Sequence, residues 1–572
     1  AYGGPGAGHG GFGGRSGQVA ADQGGFYYDS VLNPVMHGSG GAPGDTTAEY
    51  GGDGGGLVLL QVDGTFTLNG MINADGGAGM GATDVSGGGS GGSVNILASV
   101  MAGSGLVTAR GGDTTAGSYG GGGAGGRVAV VSTFGDTANL SFSVVGGNGV
   151  TTLGYSGGDG TVFYKRPTDA YGVIMVPGLT YTDREPTVIS QPASIQIDTM
   201  TLASVNFIST QTAITVTSSL TITGIDQSYE QVLMKNPVYV EGGAGLTVSY
   251  NTFSVISTVS VGSTARFLSN TGITVGSVTV AGALTVNSND TCVFDNLKTG
   301  STLGFASNTG VTAGAVTAAG EASFATNSNS LVAALDPAAG LSFTGNTELT
   351  LTSATFRVNP TFSGTNTLNI STLTTTTHLT VPAGNTLEQH AAGLWSVGGD
   401  LIVAGTLLQD SLGTWEVDTA MTVQNGGVVT HNINLNTITK RLDITVGGAL
   451  DILSGGAIHA DAKGYSTGGP GAGGNDTNNG AGGGGHGGDG GRGGNVNNGG
   501  GAHDSYDTPL DMGGKGGDAY NFATAPGGPG GGYVKISVSG PTSIAGRLSA
   551  DGGTGGNGTG STTYGAAGGG AG

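Results

Sequence analysis

The chain is poor in the residues on which most globular proteins rely. Charged side chains make up 10% of its 572 residues and aromatics 6%, and there is one cysteine, Cys292. A lone cysteine excludes an intramolecular disulfide framework, so stability rests on backbone hydrogen bonding and core packing. With 17 basic residues against 38 acidic ones, the formal net charge is −21. That balance excludes nucleic acid and anionic membrane as expected partners, since both need lysine and arginine to displace counterions. No apolar run approaches the roughly 18 residues that read as a membrane span. A charged-then-apolar leader is also missing, as is an initiator methionine at Ala1, and the sequence is expected to be a processed or partial segment.

What the chain has instead is glycine, 122 residues of it. Only 16 prolines and no strict triplet over the whole length exclude collagen. So much glycine also suits a disordered chain, because glycine costs the most backbone entropy to order. Against disorder stands the 36% of hydrophobic residues, gathered in short Val/Ile/Leu/Thr runs of strand type. The expectation is an ordered all-β protein with glycine-rich excursions.

Four regions follow. Residues 1–166 alternate glycine loops with short strands such as Leu57–Val62 and Arg127–Val131. A closing phrase recurs there, Ile72-Asn-Ala-Asp75-Gly-Gly and Val107-Thr-Ala-Arg110-Gly-Gly. Residues 167–193 hold four prolines and read as a connector. In 194–440 glycine thins and a repeat appears, with Ser269-Asn-Thr-Gly-Ile-Thr-Val matched by Ser307-Asn-Thr-Gly-Val-Thr-Ala. Thirty-eight residues fit two coils of about 19, the signature of a parallel β-solenoid. Tandem antiparallel β-sandwiches are the alternative, since they also give short strands at regular spacing.

Residues 441–572 return to the first grammar. Gly54–Gly64 aligns without a gap on Gly530–Gly540 at an offset of 476, Asp75 falls on Asp551, and His9 falls on His486 at 477. One period of a tandem array is therefore expected to be about 476 residues. Two homologous end regions flanking a solenoid would look the same.

The run Gly482–Gly494 places His486, Asp489 and Arg492 three residues apart with glycine between, and Gly8–Arg15 places His9, Phe12 and Arg15 likewise. Three residues is the turn of an extended, left-handed polyproline-II-type helix. Each run is expected to form one such helix, with His9, Arg15, His486, Asp489 and Arg492 as loop-edge side chains. This spacing resembles the polyglycine-II sandwiches of certain phage tail-fibre adhesins and of a snow-flea antifreeze protein, within parts of residues 1–160 and 464–572. The resemblance implies glycine helices packed backbone to backbone; flexible spacers are the plain alternative.

Candidate chemistry is sparse. Asp75, Asp113 and Asp551 sit in Asp/Gly turns, where oxygen-rich loops suit calcium, although aspartate is also an ordinary turn residue. No other cofactor is expected. Possible catalytic groups, among them Asp290, Asp295, Glu321, Asp336 and Arg357, are scattered, without the paired carboxylates that glycoside chemistry needs. Sequons at Asn139, Asn289, Asn369, Asn475 and Asn557 permit glycosylation. The expectation is a non-enzymatic, extracellular or cell-surface structural repeat protein that associates with copies of itself. An adhesin binding glycans through its glycine loops comes second, and a polysaccharide-active β-helix enzyme third.

Overall fold

The computed structural model describes residues 3–17, 23–45, 50–81, 85–114, 119–149, 154–176, 184–191, 194–203, 205–210, 213–223, 232–234, 238–240, 245–249, 251, 254–476, 480–494, 498–505, 507–519 and 525–556. Among them every regular element is a strand. The chain forms two compact units, Ala1–Thr302 and Leu303–Gly572.

In the first unit Leu57–Thr67, Ser93–Ala102, Arg127–Asp136 and Thr161–Lys165 stack in parallel, with Leu57 opposite Ser93, Ser93 opposite Arg127, and Arg127 opposite Thr161. Coils of 34 to 36 residues thus bring like residues into one column. A second parallel ladder joins Met71–Asn73, Leu106–Thr108 and Ser141–Ser143. Alternation along these strands turns Val94, Ile96, Val128, Val130 and Val162 into one buried core.

The expected connector carries strands of its own. Val173–Val176 pairs antiparallel with Thr161–Lys165 and parallel with Ile195–Ala203, so the direction of the stack reverses there. Thr187–Ile189 pairs with Phe207–Ser209. From Leu246 the coil shortens to 19 residues, with Leu246 opposite Ala265 and Ala265 opposite Leu284.

The glycine excursions of this unit pack as a bundle whose hydrogen bonds carry the period of three. Consecutive amides of Gly87, Gly88 and Gly89 donate to three different segments, at Ala42, Gly121 and Gly77. One turn on, Ser90, Gly91 and Gly92 donate to those same segments at Ser39, Ala124 and Ala74. The carbonyls of Gly87, Gly88 and Gly89 accept from Gly52, Ala7 and Gly112. Six neighbours therefore surround one extended helix, which is how a chain of three residues per turn satisfies all its polar groups laterally. A Cβ at Gly88 would overlap the carbonyl oxygen of Gly112.

The second unit continues the 19-residue grammar. Leu303, Ala322 and Leu341 lie opposite one another in register, as do Leu349 and Leu368. Later coils stack Thr386–Gln389, Thr406–Gln409 and Val428–His431. The last described coil pairs Val534–Val538 with Leu442–Val446. All strand pairs within this unit are parallel among the described residues, which sets aside the sandwich alternative: a sandwich needs antiparallel neighbours.

Two columns of side chains run through the short coils. Asn308, Asn327, Asn346, Asn366 and Asn385 are buried, and each of the first four donates from Nδ2 to the Oδ1 of the next at 2.7–3.0 Å. The same Oδ1 atoms also accept the backbone N–H of the preceding asparagine. The remaining Nδ2 proton of Asn327 and Asn346 goes to a carbonyl of Phe305 and Phe324. Asn251, Asn270 and Asn289 build the same column in the first unit. Beside it the rings of Phe305, Phe324, Phe343 and Phe362 stack at 5.5–5.7 Å, and Trp395 on Trp415 at 5.4 Å.

Two outcomes follow from this packing. Asn327→Ala removes the side-chain oxygen that accepts from the Asn308 amide and backbone N–H, and is expected to cost about 2–4 kcal/mol, read as a lowered denaturation midpoint. Gly88→Ala is expected to disrupt the first bundle while the asparagine columns persist; hydrogen exchange should rise in residues 3–126 and stay unchanged in 303–417.

Candidate functional site

The strongest cluster of polar side chains arises where the glycine run turns back. Gly6 N–H bonds Gly14 O and His9 N–H bonds Gly11 O, so Gly8–Arg15 is not one helix but a hairpin with His9 at its tip. Gly482–Gly494 does the same, with Gly483 N–H on Gly491 O and His486 N–H on Gly488 O. The expectation that His486, Asp489 and Arg492 line one helix edge is corrected accordingly: the chain reverses between the first and the other two.

Each tip histidine is clasped by a loop. Tyr28 N–H donates to His9 O at 2.9 Å and its ring stacks on His9 at 4.5 Å. Asp29 follows at φ 70°, the left-handed region that aspartate tolerates better than most residues. Its carboxylate accepts N–H bonds from Ser30, Val35 and Met36, and its Oδ2 lies 3.4 Å from His9 Nε2. In the second unit His503 N–H donates to His486 O, the two rings lie 5.1 Å apart, and Asp504 follows at φ 72°. Asp504 accepts from Ser505, Leu510 and Asp511, and lies 3.4 Å from His486 Nε2. Tyr28 Oη donates to His37 O, as His503 Nε2 does to Met512 O. The main-chain bonds of the two clasps thus match at offsets of 475 to 477, and each histidine Nε2 lies 3.4 Å from its aspartate.

Burial alone pushes Asp29 and Asp504 toward the neutral form, yet the hydrogen bonds from histidine and three amides outweigh it and hold both below the usual carboxylate range. In the first clasp the charge is met by Arg127, fully buried, which bonds Tyr28 O, Thr161 Oγ1 and Val188 O. Burial pulls Arg127 down to about 10, so it stays protonated at neutral pH.

Ser93, His9 and Asp29 together are not arranged as a nucleophilic triad. Such a triad needs the acid on one ring nitrogen and the serine on the other. Here Ser93 Oγ and Asp29 Oδ2 both face Nε2 at 3.4 Å, Nδ1 donates to Gly91 O at 2.6 Å, and the serine hydroxyl donates to Asp29 at 2.9 Å. All of it is buried.

The remaining expected residues lie elsewhere. Arg15 bonds Glu185 at 2.5 Å and covers the Tyr155 ring, Asp489 accepts from Ala502 N–H, and Arg492 is exposed. Asp75 accepts from Arg110 N–H and Asp113 from Asn148 N–H, each acid tying its coil to the next; Asp551 donates its N–H to Asp461. None of the three belongs to a group of metal-binding spacing among the described residues. Instead Glu388, His390 and Asp410 converge within 4.8 Å, with Lys440 already against Asp410 at 2.8 Å. They come from successive coils, and no sequence spacing announces them.

Among the sequons, Asn139 and Asn475 are exposed and Asn369 is half-buried in a strand. Asn289 is buried at 1% exposure within the asparagine column, and its Nδ2 donates to Phe267 O. It is corrected to a structural residue, since a glycan needs that nitrogen. Asn557 lies outside the described residues.

Compared with known proteins, the chain matches no family model, no curated protein and no solved structure.

Near the second clasp, His431 is buried; its Nδ1 donates to Asn432 O and its Nε2 accepts the Tyr533 N–H. Burial, the largest influence, pulls it down to about 4, below the ordinary value of 6.5. The unfolded chain therefore binds this proton first, and the stability it contributes above pH 6.5 is lost as pH falls toward 4. The loss is about 3 kcal/mol by pH 4. Melting curves between pH 7 and 4 should show a smaller pH dependence for His431→Gln than for the unsubstituted protein.

Proposed function

We propose that the chain is a structural repeat of an extracellular fibre, filament or surface layer, associating with further copies of itself rather than turning over a substrate. The observation that carries this reading is the duplicated clasp. His9 with Asp29 and His486 with Asp504 recur at the same 3.4 Å separation, with the same amides on each carboxylate and nearly the same φ, one period apart. Parallel coils support a rod-like element, because each one templates the next along the stack and needs no disulfide. The buried, fully committed Ser93–His9–Asp29 cluster favours a structural role over catalysis.

Electron microscopy tests this reading. Proteins built from one, two and three copies of the 476-residue period are expected to form filaments that lengthen by a constant increment per copy. Compact particles of constant length, or glycan-dependent clustering of single copies, would favour the adhesin instead.

A further inference from the structure

The two clasps are alike, but their surroundings differ. In the first unit Gly91–Ile96 runs across the clasp. His9 Nδ1 donates to Gly91 O, Gly92 N–H to Ala74 O, Ser93 N–H to Gly56 O and Ser93 Oγ to Asp29. Val94 and Ile96 enter the core opposite Val58 and Leu60, and Asn95 Nδ2 bonds Asn33 Oδ1 at 2.6 Å and Pro34 O at 3.2 Å.

At the corresponding place in the second unit lies a groove of about 550 Å³, lined by His486, Pro509, Gly532, Val534, Ile536 and Ala550 among others. One period earlier these are His9, Pro34, Gly56, Val58, Leu60 and Ala74, the residues that hold or face Gly91–Ile96. Val534–Val538 pairs on one side only among the described residues, with Leu442–Val446. His486 Nδ1 makes no hydrogen bond among them, whereas His9 Nδ1 is spent on Gly91 O.

We propose that this groove is a docking site for a β-strand with the chemistry of Gly91–Ile96, Gly-Gly-Ser-Val-Asn-Ile, supplied by a further repeat in which that strand has no Leu57–Thr67 of its own to pair with. The strand adds in parallel to Val534–Val538, its valine and isoleucine covering Val534 and Ile536. Its serine donates to Asp504, its asparagine donates to Pro509 O, and its first glycine carbonyl accepts a hydrogen bond from His486 Nδ1. Strand addition of this kind draws affinity from main-chain bonds and selectivity from alternate side chains. The inference rests on the repeat reading above but concerns one groove, and it is tested without any filament.

A fluorescent peptide with the sequence of residues 87–102 is titrated into the 572-residue protein and followed by anisotropy. Saturable binding is expected, weakened about tenfold by Ser93→Ala or Asn95→Ala in the peptide and abolished by Val94→Lys. Register is read by cross-linking: Lys535→Cys in the protein should trap an Asn95→Cys peptide and leave an Ile96→Cys peptide free. Absence of saturable binding to folded protein, equal binding of a scrambled peptide, or cross-linking without register preference would each overturn the proposal. Filaments observed alongside a failed titration would sink this site alone; specific binding without filaments would sink the fibre reading alone.

Discussion

The structure depends on one constraint: outside its turns, a backbone amide finds its carbonyl on another segment of the chain. A helix satisfies its polar groups internally and can tolerate loose neighbours. Coils and glycine helices cannot, so every segment must be in register with those around it before any is satisfied. The asparagine columns extend that logic to side chains, since each amide completes the hydrogen bonding of the coil beside it. Removing one member therefore injures two coils, and the packing of phenylalanines in the adjacent column depends on the same spacing.

Much of the solenoid was legible because its repeat is nearly literal. The 38-residue echo beginning at Ser269 and Ser307 predicts coils of 19, and the register of Leu246, Ala265 and Leu284 has that spacing. The role of the asparagines was hidden: Asn270, Asn289 and Asn327 sit at turns, where asparagine is common for local reasons, and in Asn289 the pattern even reads as a sequon. The triplet spacing revealed extended three-residue helices but concealed the hairpins, because a period of three reads the same whether the chain continues or doubles back. The clasp drew on residues 9, 29 and 91–93, separated in sequence and joined by topology. A signal existed in the phrases Asp29-Ser-Val-Leu-Asn-Pro34 and Asp504-Ser-Tyr-Asp-Thr-Pro509, which stand one period apart.

The acids and bases tell a parallel story. With so few charges, those present are used to fasten segments together. Arg127 ties a loop carbonyl to two coils, Asp75 and Asp113 each hold an amide of the next coil, and Arg184 pairs with buried Asp159. Burial pushes the Asp159 carboxyl up while the guanidinium opposes it. Charge here fixes register: each of these acids holds a group on the coil beside it.

The bundle around Gly87–Gly92 has a last consequence. With six neighbours bonded to one helix, almost any side chain at Gly88 or Gly123 collides with a carbonyl across the gap. A stretch that looks like low-complexity filler is thus among the least replaceable in the chain. The monotony of its alphabet is a packing requirement, because only a hydrogen atom fits the gap between neighbouring backbones.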